Sequence, residues 1–344
     1  MASPPQALLR QALADHRAGQ VEAAETGYRA AIAAAPELVA AHHNLINLLH
    51  AQHRLEELTP AYQALIAVAP TPELHMRLAV NLLRFGRYRE AWPHYELRES
   101  RAGAAPTGST PEWRGEPIAG RALLLWDEQG FGDQIQMARY IAPLQAMGAR
   151  VEFACREPLR RLIEPLCPTA SRYGEIRGKW DFWVSTMSLP FHFATSLETI
   201  PPPAAFAVRA GAATSGSGVG VVASGGTRNP NDANRSLPPE AAQRLLALPG
   251  AVSLAPEDTH AADFAETAKI IAGLARVITV DTAVAHLAAS LGKPTSVLVT
   301  ARFPPWQWML ERADSPWYPA ARLYRQATPG DWTAPIEAAI ADLA

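Results

Sequence analysis

Two prolines constrain the first part of this chain more than any other feature. Pro36 and Pro70 each close an alanine-rich stretch, AAIAAAP and QALIAVAP, and they stand 34 residues apart. Laid over one another at that spacing, Gly19, Val21, Ala24, Tyr28, Ala31 and Pro36 fall on His53, Leu55, Leu58, Tyr62, Leu65 and Pro70. A third copy, one residue shorter at its start, supplies Gly86, Tyr88, Ala91 and Tyr95. A period of this length belongs to a supersecondary unit that buries its apolar face only by stacking on copies of itself. Two antiparallel helices per copy satisfy it. Small and apolar residues let the helices approach, an aromatic fills the gap, and proline ends the second helix. A non-repeating alanine-rich bundle is the bland alternative. His50 and His53, three residues apart, have no third ligand nearby and read as ordinary surface histidines rather than a metal pair.

The spacing and its Gly, Tyr, Ala and Pro positions resemble three tetratricopeptide repeats over residues 5–100, with His53 standing where glycine is usual. The remaining chain is long enough for further domains: 344 residues exceed one ordinary core. With 48% hydrophobic and 19% charged residues and a net charge of −2, it is no disordered chain. Nor does it carry a global field toward nucleic acid or anionic lipid. Cys155 and Cys167 are too few for a disulfide framework or a zinc site and suggest a reducing compartment. The opening residues lack an uninterrupted apolar core of the signal-peptide kind, and no apolar run reaches the length of a spanning helix. The expected address is cytoplasmic, with no nucleic-acid partner and no membrane span.

After a small, polar, proline-bearing linker, ESRAGAAPTGSTPE (99–112), the periodicity changes. Short apolar runs alternate with helical stretches. ALLLW (Ala122–Trp126), ARVEFAC (Ala149–Cys155) and DFWVS (Asp181–Ser185) read as strands, with helices expected over Gln134–Met147 and in REPLRRLIEPLC. SGSG (Ser215–Gly218) then punctuates the chain. VGVVA (Val219–Ala223), AVSLA (Ala251–Ala255), RVITV (Arg276–Val280) and TSVLV (Thr295–Val299) form a second strand set. Helices are expected around Pro239–Leu248, Asp263–Leu274 and Ala283–Leu291. Such alternation predicts two successive parallel α/β units, whose ligands sit outside the carboxyl ends of the strands.

Three loops at those ends could carry chemistry. In RVITVDTAVAHLAASLGKPT a buried strand runs into Asp281 and Thr282, and a helix begins at once. The free amides of Thr282, Ala283 and Val284, with the positive end of the helix dipole, make a ready anion site. Ala283 has no bulk to hold a phosphate off the backbone, and His286 lies one turn in on the same face. An N-cap on a packed helix, with His286 as a bonded core histidine, explains the same residues. In WDEQGFGDQ, Gly130 and Gly132 allow a sharp turn, but Ile135 occupies the last glycine of a dinucleotide fingerprint, so NAD is not expected. Asp133 reads either as a helix N-cap or as a general base. The loop SGGTRNPNDANRS (Ser224–Ser236) is either solvated or, through Arg228 and Arg235, a neutraliser of diphosphate.

At these residues the chain resembles the heptosyltransferase-type glycosyltransferases (family 9, GT-B fold), through DTAVAHLAASLGKP and the QGFGDQ loop. With the repeats and the tail PPWQWMLERADSPWYPAARLYRQATPGDW, the whole is similar to bacterial tetratricopeptide-repeat glycosyltransferases. The resemblance implies repeats over 1–100, a linker over 101–118, an acceptor-side Rossmann-like domain over 119–210 and a nucleotide-sugar domain over 216–344. It implies Asp133 as catalytic base on an acceptor hydroxyl. It implies Asp281, Thr282, Ala283 and His286, with Gly132, around the donor's diphosphate and sugar, and Arg235 at the leaving nucleotide. Trp306 and Trp308 could stack on a sugar or base, or simply pack. The implied reaction is inverting and needs no metal or cofactor beyond a nucleotide-sugar co-substrate; no D-x-D pair occurs. The acceptor would be a protein or glycan recruited by the repeats. Three departures from the family pattern stand out: Ala223 for a frequent tryptophan, Ala283 for glycine, and a first α/β unit of only 88 residues, Arg121 to Val208. A non-catalytic tetratricopeptide scaffold or sensor with a degenerate GT-B half is the alternative.

Overall fold

The computed structural model describes residues 4–102, 109–171, 178–207, 216–226, 229 and 231–343. The middle of the expected linker, Val208 at the end of the first α/β segment, Ser215 of the SGSG punctuation and Arg228 lie outside the described residues. The chain divides into two compact units, Met1–Glu99 and Ser100–Ala344.

The first unit is three helix pairs: α1 (Pro4–Arg17) with α2 (Val21–Ala34), α3 (Val39–Ala51) with α4 (Leu55–Val68), and α5 (Pro72–Arg84) with α6 (Tyr88–Tyr95). The turn inside each pair passes through the left-handed region at Gly19 (φ 74°), His53 (φ 56°) and Gly86 (φ 74°). The backbone thus demands a glycine-type conformation at the repeat position, and His53 adopts it despite its Cβ. The aligned aromatics are all core residues: Tyr28, Tyr62 and Tyr95 are 0%, 2% and 1% exposed. Gly27 has its own reason, since a Cβ there would lie 2.6 Å from Ala12 Cβ, where α1 and α2 cross closely. His50 departs from expectation. It is half-buried rather than a surface residue, its Nε2 2.7 Å from the Tyr62 hydroxyl, just as His16 Nδ1 lies 3.0 Å from the Tyr28 hydroxyl one period earlier.

A single turn, α7 (Glu99–Ala102), straddles the boundary, and the second unit continues with β1 (Ala122–Trp126), α8 (Phe131–Met137), α9 (Ile141–Ala146) and β2 (Arg150–Cys155). It continues with α10 (Arg160–Ile163), β3 (Thr169–Ser171), β4 (Phe182–Ser185) and α11 (Leu189–His192). The strands form one parallel sheet in the order β3-β2-β1-β4, with Ala122 opposite Arg150 and Leu123 opposite Phe182. The helix expected over Gln134–Met147 begins earlier, at Phe131, and is interrupted by a 3-10 turn at Ala138–Tyr140. Pro143 withholds the amide that a continuous helix would give to the Arg139 carbonyl. REPLRRLIEPLC likewise yields only a 3-10 turn and α10, because Pro158 and Pro165 bound it.

The second sheet is built from β5 (Val219–Val222), α12 (Asp232–Arg235), α13 (Pro239–Leu246), β6 (Ala251–Ser253), α14 (Pro256–Thr259), α15 (Phe264–Ala272) and β7 (Arg276–Val280). It is completed by α16 (Ala283–Ser290), β8 (Thr295–Val299), β9 (Asp314–Ser315), β10 (Tyr318–Arg325) and α17 (Thr333–Ala341). Its order is β6-β5-β7-β8-β10-β9, parallel except for β9 against β10. Three strands escaped the pattern reading. β3 and β9 are two or three residues long, and β10 carries Pro319, Arg322 and Arg325, which hide its buried Tyr318, Ala321, Leu323 and Tyr324. One face of this sheet buries Val219, Val221, Ile278, Val280 and Leu298 against Leu245 and Ile336 of the flanking helices and Trp332, the N-cap of α17. The chain adds β6 on one side of β5 and then β7 on the other, which makes the gap between β5 and β7 a topological switch point where the loops diverge and leave a crevice. Among the described residues no helix is long and apolar enough to cross a membrane.

Candidate functional site

The loops leaving β1, β5 and β7 are the ones the sequence singled out. Gln129 turns the chain at φ 65°, and α8 then starts with Gly130 as its N-cap. Asp133 is therefore not the N-cap but the third helical residue. Its Oδ2 accepts the Gly130 amide at 2.9 Å, the acidic half of a capping box whose other half a glycine cannot supply. Its Oδ1 accepts from Gln307 Nε2 at 3.2 Å. Burial, with the neighbouring charges of Asp281 and Glu128, pushes the carboxyl up to about 6, and the Gly130 amide restrains the rise. A carboxylate poised there changes protonation near neutral pH, as a general base requires.

Asp281 ends β7. Its Oδ1 accepts Trp308 Nε1 at 2.6 Å, and its main-chain oxygen accepts Arg235 Nη1, also at 2.6 Å. Burial raises this carboxyl above the ordinary range; the Trp308 hydrogen bond and the Arg235 charge oppose the rise. Thr282 is the N-cap of α16 in extended conformation (φ −143°, ψ 173°), and its hydroxyl lies 3.3 Å from that of Thr279 instead of capping the helix. Ala283 and Val284 open the helix, so their amides have no intrahelical acceptor.

Arg235 bridges the switch point. It lies in α12 on the β5 side, is 7% exposed, and pairs through Nε with Asp232 Oδ1 at 3.0 Å while reaching the Asp281 carbonyl across the crevice. Gly225 leaves room for this pair: a Cβ there would stand 2.2 Å from Arg235 Nη2 and 2.3 Å from Asp232 Oδ1 and would push the two side chains aside.

Other expected residues are placed differently. For His286 the spacing leaves two readings, a ring on the anion-facing side of α16 and a bonded core histidine, and its position is that of the second. It is 4% exposed, with Nδ1 2.9 Å from the Tyr318 hydroxyl and Nε2 3.9 Å from Asp281 Oδ1. Burial, with the positive charges of Arg139 and Arg235, drives its pKa down to about 3, so the ring is neutral. Gly132 explains the enclosure. A Cβ on it would be 2.7 Å from His286 Cδ2, so the glycine lets the start of α8 seat on α16. Trp306 and Trp308 are 6% and 0% exposed, the first edge-on to Trp317 at 5.5 Å and the second beside His286 at 5.2 Å. They are packing residues with no face open to a sugar. The apolar surroundings of the PPWQWM segment were the available signal for this.

Two contributors went unread in the sequence. Gln307 is one. Arg139 is the other: it donates to the carbonyls of Gln136, Pro201 and Trp317 at 2.8, 3.0 and 3.0 Å and lies over the rings of Trp317 and Tyr318. Arg161 bonded to Asp263 at 2.9 Å also joins the two sheet regions. An open cavity of about 520 Å³ lies beyond the ends of β5 and β8, lined by Asn234, Ser236, Leu237, Thr300, Arg302 and Trp332.

The segment holding Arg235, Asp281, Thr282, Ala283 and His286 is also the one that a family model covers. Residues 235–304 match the family model of glycosyltransferase family 9 (heptosyltransferase). Protein FlbA of Caulobacter vibrioides is 36% identical over 74 residues, which are 20% of this chain and 12% of FlbA. The chain thus spans about an eighth of that curated relative. Among solved structures, MamA (AMB-1) is 17% identical with a TM-score of 0.26, covering 30% of this chain and 58% of its own. A family 9 glycosyl transferase from Veillonella parvula DSM 2008 is 11% identical with a TM-score of 0.43, covering 62% of this chain and 88% of its own.

Proposed function

We propose that the α/β unit transfers a sugar from a nucleotide-sugar donor to a hydroxyl acceptor by inverting displacement, without a metal or other cofactor. The acceptor oxygen attacks the anomeric carbon as its proton passes to Asp133. The bond from that carbon to the diphosphate oxygen breaks, and the electron pair leaves with the nucleoside diphosphate. The first amides of α16 and the Thr282 hydroxyl receive the diphosphate, Ala283 admits it to the backbone, and Arg235 sets the crevice from the β5 side. The repeats recruit a protein or glycan acceptor in the cytoplasm. The observation that carries this reading is Asp133, with its carboxyl near 6, in the charge field of Asp281 at the head of α16, within the unit that holds the family 9 segment.

The enclosure of His286 and Trp308 favours a second reading, a repeat scaffold on a worn-down transferase half. Thermal-shift screening against UDP-, GDP-, ADP-, CDP- and dTDP-sugars separates the two. Stabilisation by one nucleotide class, with slow donor hydrolysis that disappears in Asp133→Asn, is expected. Indifference to every nucleotide would overturn the transferase reading.

A further inference from the structure

The two aspartates are held by consecutive residues of one short turn. Trp306–Trp308 is a 3-10 turn following Pro304 and Pro305. Gln307, 8% exposed, donates to Asp133 Oδ1 at 3.2 Å, and Trp308, fully buried, donates to Asp281 Oδ1 at 2.6 Å. The turn is anchored on both sides, since Trp306 packs on Trp317 and the Trp308 carbonyl accepts from Arg325 Nη2 at 2.5 Å. Asp133 is thus gripped at one oxygen by its own helix start and at the other by this turn.

Resting on the base assignment of Asp133, we propose that Trp306–Trp308 is a clip, with Gln307 the positioning residue of Asp133 and Trp308 that of Asp281. Gln307 presents only donor hydrogens to the carboxylate, so it favours the ionised base and leaves each oxygen a lone pair for the acceptor proton. Trp308 does the same for Asp281 and thereby keeps a negative charge beside Asp133. The two donors act on Asp133 in opposite directions. One stabilises its charge directly, and the other preserves the charge that repels it.

The groups that bear on Asp133 are Glu128 from the turn after β1, Asp281 after β7 and Tyr318 on β10. The cations nearby, Arg139 and Arg235, act on His286, with Arg139 also facing Tyr318 and Arg235 facing Asp281. His286 itself is neutral throughout the working range.

The test is a 13C-carboxyl aspartate titration by NMR on the full chain, with Asp133→Asn assigning the resonance. Gln307→Met should move the Asp133 midpoint up by about one pH unit, the worth of a hydrogen bond to an ionised group. Gln307→Asn, one methylene too short to reach, should do the same if the methionine variant does not fold. Trp308→Phe should move the midpoint down, because Asp281 then takes its proton sooner and stops repelling. An unmoved midpoint in the Gln307 variants, or the same direction in both sets, overturns the clip. Where donor turnover is measurable, the acidic limb of kcat should rise with the Gln307 midpoint while KM holds. Turnover that persists in Asp133→Asn would instead remove the base assignment, a failure readable apart from the titration.

Discussion

A histidine bonded to a tyrosine hydroxyl occurs in both units, half-buried in the helical one and buried in the α/β one, and the two versions are made in different ways. In the helical unit His16–Tyr28 and His50–Tyr62 are each twelve residues apart and recur one period on, at 3.0 and 2.7 Å. In the α/β unit His286–Tyr318 spans 32 residues and joins α16 to β10 at 2.9 Å. Burial lowers the pKa of His50, helped by Arg84 and Arg77, but drives that of His286 down to about 3, with Arg139 and Arg235 adding to it. The local pair is a brace that repeats with the fold. The distant pair closes the place where loops from two sheets converge, so its electrostatic stakes are higher.

The strongest way to break that contrast is at the carboxylate the distant pair adjoins. Asp133→Asn should cut donor turnover by about 10³-fold, the usual worth of a positioned base. The same change should stabilise the fold at pH 7 by about 1–2 kcal/mol, read by denaturant unfolding. The sign follows from the raised carboxyl, about 6 in the folded state against 3.8 ordinarily. Its favourable contribution is complete below about 3.8 and is lost as pH rises through 6, so at pH 7 the ionised group is a liability. A variant that is less stable and still active would reverse the comparison.

Removing the histidines themselves comes next. His286→Ala should cost about 3 kcal/mol, through a cavity and an unpartnered Tyr318 hydroxyl, and His50→Ala about 1 kcal/mol. Equal losses would mean that distance along the chain does not matter. Acid sharpens the same point. With its folded pKa near 3, His286 stays neutral while the unfolded ring gains a proton below 6.5, so stability should fall from pH 6.5 downward, by up to about 1.4 kcal/mol per pH unit. Asp133 works in the opposite direction between about 6 and 3.8, so the decline should be steeper in Asp133→Asn. The smallest expected effect lies in the repeat. His53→Gly should stabilise by about 0.5–1 kcal/mol, since it relieves a Cβ at φ 56°, and a loss there would show that the histidine side chain contributes something the turn needs.

Much of this fold is legible before any coordinates. The 34-residue spacing marks the turns at Gly19, His53 and Gly86, and apolar runs mark seven of the strands. The reading stops where residues act through partners far along the chain. Gln307 meets Asp133 across 174 positions, and Arg139 meets Trp317 across 178. Neither carries a local signal, because a glutamine in a tryptophan-rich turn and an arginine in a helix both pass for surface residues. β10 is hidden for a related reason: Pro319 and the arginines, Arg322 exposed and Arg325 partly buried, dilute a buried pattern that pairing with β8 completes.

By itself the sequence determined the periodic and local features: repeat spacing, helix ends at proline, and parallel strands followed by glycine-bearing or polar loops. Those depend on backbone sterics and on which side chains must leave water, and both operate within a few residues. Tertiary structure alone decided that His286 and the tryptophans turn inward, that Arg235 spans the switch point, and that one turn grips both aspartates. Those outcomes depend on burial and charge proximity, which come into being only when distant segments meet and exclude water between them.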